Sequence, residues 1–372
     1  MSVESQMSVE SLIKIIDHRE RLKETHPLKY LFWESTLRCN LDCLHCGSDC
    51  MKDNSSKAKE LDIELVKNEL VDIARYYDPR EITFAIIGGE PLVREDIVEV
   101  GAFSAELGYN WGITTNGMLL TDKKIAQLKN ANLKTISVSL DGLEAHHDEL
   151  RNLKGSHKIV TRGIKRLMAD RFFLSFDIIC CVNGLNVNHL AEFVEELIEL
   201  GVPRVRFTPI FSHGRASENP HLILKDDDLR KLLTFITQYR VSGDRRIEVT
   251  LSEEGYYGAE FECQIRDDLH YCGSGVQIGT ILHNGKVMGC PSVSRKFIEG
   301  SIKKKSFMEI WNNKFYKYRA GKEKMFESQC KGCEDWVLCE GGGFHLLDQK
   351  NCEGTLCQYE KIQTPKPQNQ TS

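Results

Sequence analysis

The sequence predicts an α/β fold: a partial (β/α)6 barrel followed by a small cysteine-rich domain. Three observations carry this reading. Six short β-branched or aromatic runs alternate with amphipathic stretches between about residues 29 and 210; the alternation stops after about residue 241; and the 14 cysteines fall almost entirely into two groups.

The six runs are KYLFWES, EITFAIIGG, NWGITTNG, TISVSLDG, FLSFDIICCV and VRFTPI, separated by helical patterns such as DIELVKNELVDIARYY and NHLAEFVEELIEL. Such runs, bounded by turn residues, read as strands. Regular strand–helix alternation implies parallel strands joined by right-handed crossovers, and a series of this length curls into a barrel. Barrels of this kind carry their chemistry at the C-terminal strand ends. ESTLRCN, GGEPL, TTNG and SLDG all fall there, on one rim.

Past residue 241, Gly, Cys and short strand-like pieces such as GVQIGTILHNGKVMGC replace the long helices. That composition suits a small unit organised around bound inorganic groups. The expected organisation is an N-terminal helical extension over 1–28, a barrel over 29–240, a cysteine-rich domain over 241–360 and a tail over 361–372 with almost nothing to bury.

A content of 41% apolar and 28% charged residues is that of a globular chain, and a net charge of −5 argues against a general nucleic-acid binder. No run approaches the ~18 apolar residues of a membrane span, and the start MSVESQMSVESLIKII lacks the basic-then-apolar order of a signal peptide. The expected compartment is the cytoplasm, with no membrane partner. Thiols stay reduced there, so clustered cysteines read as metal or cluster ligands. Four lie between Cys39 and Cys50 and eight between Cys263 and Cys357, with only Cys180 and Cys181 elsewhere.

Cys39, Cys43 and Cys46 stand in the order CxxxCxxC directly after the first strand. Three thiolates on a 4Fe-4S cube leave one iron without a protein ligand, free to bind a substrate or cofactor. The competing reading is a zinc knuckle, although a closed zinc site wants four ligands. Cys180 and Cys181 are adjacent on a strand, so one faces the barrel interior and the other the helices.

The segment from Cys39 to Cys46, followed by GGEPL at Gly88 to Leu92 on the next strand end, resembles the radical S-adenosylmethionine (SAM) superfamily over roughly residues 29–215. The resemblance implies a TIM-like partial barrel whose open iron chelates the amino and carboxylate groups of SAM. It implies that Gly88, Gly89, Glu90 and Pro91 offer backbone acceptors to the amino group, the glycines allowing close backbone approach. It places His45 beside the adenine, and Thr115, Asn116, Ser139 and Asp141 around the ribose and carboxylate. Arg151 resembles an arginine that pairs with the SAM carboxylate. The alternatives are an exposed His45, ordinary turns at TTNG and SLDG, and a surface ion pair at Arg151.

In the second group, Gly285 precedes Cys290 by five positions, and Cys330, Cys333 and Cys339 form Cx2Cx5C. With Cys272 this order is similar to the SPASM domain, which holds auxiliary 4Fe-4S clusters, over about residues 263–357. One departure matters: the family continues with a cysteine where this chain has Gly343. Eight cysteines still suffice for two auxiliary clusters. The expected sets are Cys330, Cys333, Cys339 and Cys357 for the distal cluster, and Cys263, Cys272, Cys290 and Cys352 for the proximal one.

The implied activity is reductive cleavage of SAM to a 5'-deoxyadenosyl radical that abstracts hydrogen from a peptide or protein substrate, with electrons from a flavodoxin- or ferredoxin-type partner. The rivals are a radical SAM enzyme of small metabolites and a non-enzymatic iron-sulfur electron-transfer or scaffold protein. Pro291 stands where sulfatase maturases of the family carry an aspartate base, so that activity is not expected. The roughly 28 residues before the first strand are too few for a leader-recognition domain.

Overall fold

The computed structural model describes residues 9–48, 50–52, 55, 57–252, 255–348 and 356–363. The tail beyond residue 363 and Cys352 lie outside the described residues. One sheet of ten strands forms the scaffold: β1 Tyr30–Glu34, β2 Thr83–Ile87, β3 Asn110–Thr115, β4 Thr135–Ser139, β5 Ser175–Val182, β6 Arg204–Pro209, β7 Glu248–Leu251, β8 Ile278–Ile281, β9 Lys286–Met288 and β10 Gly300–Ser301. Its order is β10-β9-β8-β1-β2-β3-β4-β5-β6-β7.

The strands from β8 through β1 to β7 run parallel, and β9 and β10 add antiparallel. The six expected strands are β1 to β6. Two further parallel strands extend them, and β8, from the cysteine-rich part, pairs with β1 from Tyr30↔Ile278 to Trp33↔Ile281. The sheet therefore runs across the expected junction near residue 240. Local pattern marks GVQIGTILHNGK as strand-like but cannot name a partner some 250 residues away. The turn after β8 is legible in retrospect, since Gly285 takes φ +87° in the Asn-Gly pair favoured at tight hairpins.

The helices on the outer face include α1 Val9–Thr25, α2 Ile63–Ile73, α3 Ile97–Glu106, α4 Asp122–Asn130, α5 Glu144–Leu150, α6 Ser156–Asp170, α7 Leu190–Glu199, α8 Asp226–Ser242 and α9 Ala259–Ile265. Caps set several starts: Asp62 accepts from Glu64 N at 3.0 Å and Thr121 from Lys124 N at 3.2 Å. Leu70, Val160, Ile164, Phe193 and Leu197 from these helices are fully buried, and so are Ile136, Val138, Ile178, Cys180, Val205 and Phe207 from the strands. Each such side chain contributes roughly 1.5–3 kcal/mol. Alternation then sends Ser137, Asp177 and Arg206 to the concave face. There Asp177 accepts from Ser137 Oγ at 2.6 Å and pairs with Arg206 Nε, while Arg206 Nη2 lies 3.3 Å from Ser137 Oγ. Polar residues, buried Asp177 among them, thus line the lumen.

Helix α1 clasps the cysteine-rich part. The buried Arg19 guanidinium donates to the carbonyls of Val337 (3.1 Å), Leu338 (2.8 Å) and His270 (2.8 Å). Among the described residues no helix is long and apolar enough to cross a membrane.

Candidate active site

The loop carrying Cys39, Cys43 and Cys46 is irregular and held from outside. After β6, Arg215 donates from Nε to Cys43 O (2.9 Å), from Nη1 to Cys50 O (2.8 Å) and from its backbone N to Cys46 O (3.0 Å). Asn219 Nδ2 adds a bond to Leu44 O at 3.1 Å. Gly214, at φ +52°, permits this approach, because a Cβ there would stand 2.4 Å from Cys46 O. The string SHGRASEN gives no sequence signal for this brace.

Two side chains address the sulfurs. Asn116 Nδ2 lies 3.8 Å from Cys39 Sγ and Arg151 Nη1 3.7 Å from Cys43 Sγ, within reach of N–H···S bonds. Burial pushes the Cys39 thiol up to about 11 and raises that of Cys43, with Arg151 opposing at Cys43. Ligation must therefore displace protons. The Cys50 thiol hydrogen-bonds Cys46.

The GGEP turn is joined to the backbone just ahead of Cys39. Gly89 N donates to Thr36 O at 2.7 Å and Glu90 N to Arg38 O at 2.9 Å. A Cβ on Gly88 would fall 2.5 Å from Thr36 O and one on Gly89 2.3 Å from Arg38 O. The glycines thus meet the chain's own backbone, a reason that the expectation of close ligand approach did not include. Pro91 is buried and opens the short helical turn that follows.

Glu90 is fully buried. It accepts from Thr115 Oγ1 (2.9 Å), Leu92 N (3.0 Å) and Asn116 N (2.7 Å), and burial pushes its carboxyl up to about 6. Asn116 in turn donates to Asn40 Oδ1 at 2.7 Å. Glu90, Thr115, Asn116 and Cys39 are therefore one connected unit.

Asp141 and Arg151 form a buried pair, Nε to Oδ2 at 2.6 Å, so Arg151 is not a surface ion pair. Asp141 Oδ1 accepts from Cys181 N at 2.9 Å, and its own N–H donates to His147 Nδ1 at 3.1 Å. Burial disfavours the Asp141 carboxylate, but Arg151 holds it well below the usual range. His45 is half-buried, and burial and nearby Arg151 lower its pKa to about 4. Ser139 ends β4, half-buried, in register with Ile179.

Sequence reasoning also missed Glu34 on β1, which is buried and bound by His283 Nδ1 (2.9 Å) and Arg295 Nη2 (2.8 Å) from the cysteine-rich part. A lone carboxylate inside an apolar strand, as in LFWES here and LSFDIIC at Asp177, was the available signal.

Cys330, Cys333, Cys339 and Cys357 line one pocket with Tyr256 and Trp336, Cys333 at its exposed side. Burial pushes the Cys339 thiol up to about 12. Cys272 and Cys290 are half-buried, and both lie beside Tyr318. Cys263 is exposed on α9.

Residues 33–197 match the family model described as the radical SAM superfamily, and residues 272–334 the SPASM iron-sulfur cluster-binding domain. The chain belongs to the radical SAM superfamily and carries a SPASM domain. It is an enzyme whose cofactors are SAM, a 4Fe-4S cluster and auxiliary iron-sulfur clusters in the SPASM domain. The AdoMet-dependent heme synthase of Methanosarcina barkeri is 27% identical, over 85% of this chain and 91% of that protein. The mycofactocin maturase MftC of Mycolicibacterium smegmatis is 27% identical, over 90% and 82%. The crystal structure of Streptococcus suis SuiB bound to precursor peptide SuiA shares the fold, with a TM-score of 0.70 at 17% identity over 95% and 81%. The thiol loop with its N–H donors and the four-thiol pocket both suit the clusters of a radical SAM protein.

Proposed function

We propose that this chain is a cytoplasmic radical SAM enzyme that abstracts hydrogen from a peptide or protein substrate. When bound, SAM and its cluster supply a 5'-deoxyadenosyl radical through one-electron reduction. Cys39, Cys43 and Cys46 hold that cluster, and the carbonyls of the Gly88–Pro91 turn receive the SAM amino group. Asn116 and Arg151 orient the thiolates, with Glu90 fixing the Asn116 backbone and Asp141 the Arg151 side chain. His45, Thr115 and Ser139 border the nucleoside. The barrel occupies 29–240 and the cluster unit 241–360. Cys330, Cys333, Cys339 and Cys357 hold the distal auxiliary cluster, and Cys272 and Cys290 belong to a proximal one. A flavodoxin or ferredoxin supplies electrons.

The observation that carries the reading is the junction of the GGEP turn, Asn116 and Arg151 with the Cys39–Cys43 loop. A peptide substrate is supported by the maturase likeness. The heme synthase likeness supports the second reading, a small-molecule substrate.

The test is anaerobic. Reduced, iron-replete protein should release 5'-deoxyadenosine slowly from SAM alone and faster with its substrate. Deuterium from a labelled candidate peptide should then appear in the 5'-deoxyadenosine. Absence of 5'-deoxyadenosine under every reductant defeats the enzyme reading, and deuterium transfer from a small metabolite but no peptide favours the second.

A further inference from the structure

The thiol loop returns to the protein surface at Met51. This residue bridges Arg38: its N–H donates to Leu37 O at 3.0 Å, and its carbonyl accepts from Cys39 N at 2.8 Å. Met51 is nevertheless 51% exposed. An apolar side chain thus stands in the open one hydrogen bond away from Cys39.

Principle contacts carry the surface on from there to the β9–β10 hairpin. Arg38 Nε holds Glu60 at 2.7 Å, and the next residue, Leu61, donates from its N to His283 O at 2.7 Å. Leu61 lies against the turn after β8, where a Cβ on Gly285 would meet Leu61 Cδ2 at 3.1 Å and Lys303 Cγ at 3.3 Å. Met51 and Lys52, the short helical turn Lys57–Lys59, and Lys286 with Lys303 therefore belong to one face.

That face is basic. Lys52, Lys57, Lys59, Lys286 and Lys303 are all exposed, and among the described residues no carboxylate pairs with any of them. The carboxylates close by are already engaged: Glu60 by Arg38 and Arg94, Glu309 by Lys305, and Asp62 as the cap of α2. On the helices the habit is different, since Lys67 pairs with Glu64 and Glu99, Lys129 with Asp170 and Lys158 with Glu144. The chain as a whole carries −5 and repels an acidic protein, so a local patch of unpaired ammonium groups selects where such a protein can land.

We propose that this face, centred on Met51, docks a small acidic one-electron carrier protein of the flavodoxin or ferredoxin class. The carrier is oxidised by one electron and the cluster held by Cys39 is reduced by one, with no bond made or broken. The lysines steer and orient the carrier, Met51 gives the contact an apolar centre, and the hydrogen bond from Cys39 N to Met51 O joins that centre to the cluster loop. Electron-transfer encounters of this kind are small and weak, so charge governs their rate and salt suppresses them. The proposal rests on the reading of the chain as an enzyme that cleaves SAM reductively.

The test needs no substrate. Reconstituted full-length holoprotein with SAM is driven anaerobically in parallel by dithionite, by a bacterial flavodoxin with its NADPH-dependent reductase, and by a reduced bacterial ferredoxin, and 5'-deoxyadenosine is measured. With at least one carrier the rate should fall steeply as salt is raised. The triple variant Lys59→Glu, Lys286→Glu, Lys303→Glu should lose at least about tenfold of the carrier-driven rate and keep the dithionite-driven one. Lys123→Glu, Lys154→Glu, Lys165→Glu, three exposed lysines outside this face with the same change in net charge, should keep both. The proposal is overturned if the first triple variant matches the unmodified protein with the carriers, if the second loses as much, if the dithionite-driven rate falls in step, or if neither carrier drives an unmodified protein that dithionite does. No 5'-deoxyadenosine from the unmodified protein with dithionite defeats the enzyme reading itself, and the proposal with it.

Discussion

The Arg151 guanidinium joins Asp141 to Cys43, with Nε 2.6 Å from the carboxylate and Nη1 3.7 Å from the sulfur. Both partners are buried. Arg151→Ala would strand Asp141 without its counter-charge and should cost about 3–5 kcal/mol in denaturant unfolding. Arg151→Lys should recover much of that stability but not full iron retention, because an ammonium lacks the fork that reaches both groups. Equal iron retention in the lysine variant would show that the sulfur contact is idle.

Replacing Cys39, Cys43 and Cys46 together by Ala should remove about four of roughly twelve irons and abolish 5'-deoxyadenosine formation. The auxiliary clusters should remain, visible by EPR. Loss of all iron would mean that the two regions assemble as one unit.

Gly89→Ala should weaken SAM binding roughly tenfold, about 1.4 kcal/mol, because its Cβ would press on Arg38 O and move the turn away from the thiol loop. Gly47→Ala is the control: it adjoins Cys46, yet a Cβ there meets nothing within 4 Å. Equilibrium dialysis with reconstituted protein distinguishes the two.

Glu69 on α2 accepts from Phe307 N at 2.7 Å, and burial pushes its carboxyl from 4.5 up to about 7. The folded state then holds a proton that the unfolded state has released, so this group's contribution to stability falls as pH rises from about 4.5 to about 7 and levels off above. Glu69→Gln should flatten that decline, gaining on the order of 1–2 kcal/mol over the wild-type protein near pH 8. Denaturant midpoints at pH 5 and pH 8 measure it, and parallel pH profiles would refute it.

The strands of the barrel and the rim strings were legible because each rests on local pattern and on the rule placing function at strand C-termini. GGEPL and TTNG meet at Glu90, Thr115 and Asn116 as strand order alone requires. The bracing of the thiol loop was not legible. Arg215 and Asn219 reach it across more than 160 residues from a loop with no periodicity. Glu34 finds its partner His283 across 249 residues, and β8 joins β1 over a similar span. The eight clustered cysteines marked a binding region, but the expected grouping of Cys357 with Cys330, Cys333 and Cys339 came only with the family resemblance, because local pattern does not say how the loops that bring these four to one pocket pack.

The pairing of β1 with β8 also sets an order of events during synthesis. The strand that leads into the triad leaves the ribosome early, yet the neighbour that seals its far side comes only with Ile278–Ile281. Until then β1 is an open sheet edge, liable to pair with other chains, and Glu34 lacks both His283 and Arg295. With translation at about 5–20 residues per second, that gap lasts on the order of tens of seconds. The last quarter of the chain therefore acts as a latch on the first strand, and a nascent chain halted before β8 would expose its cysteine loop beside an unsealed edge.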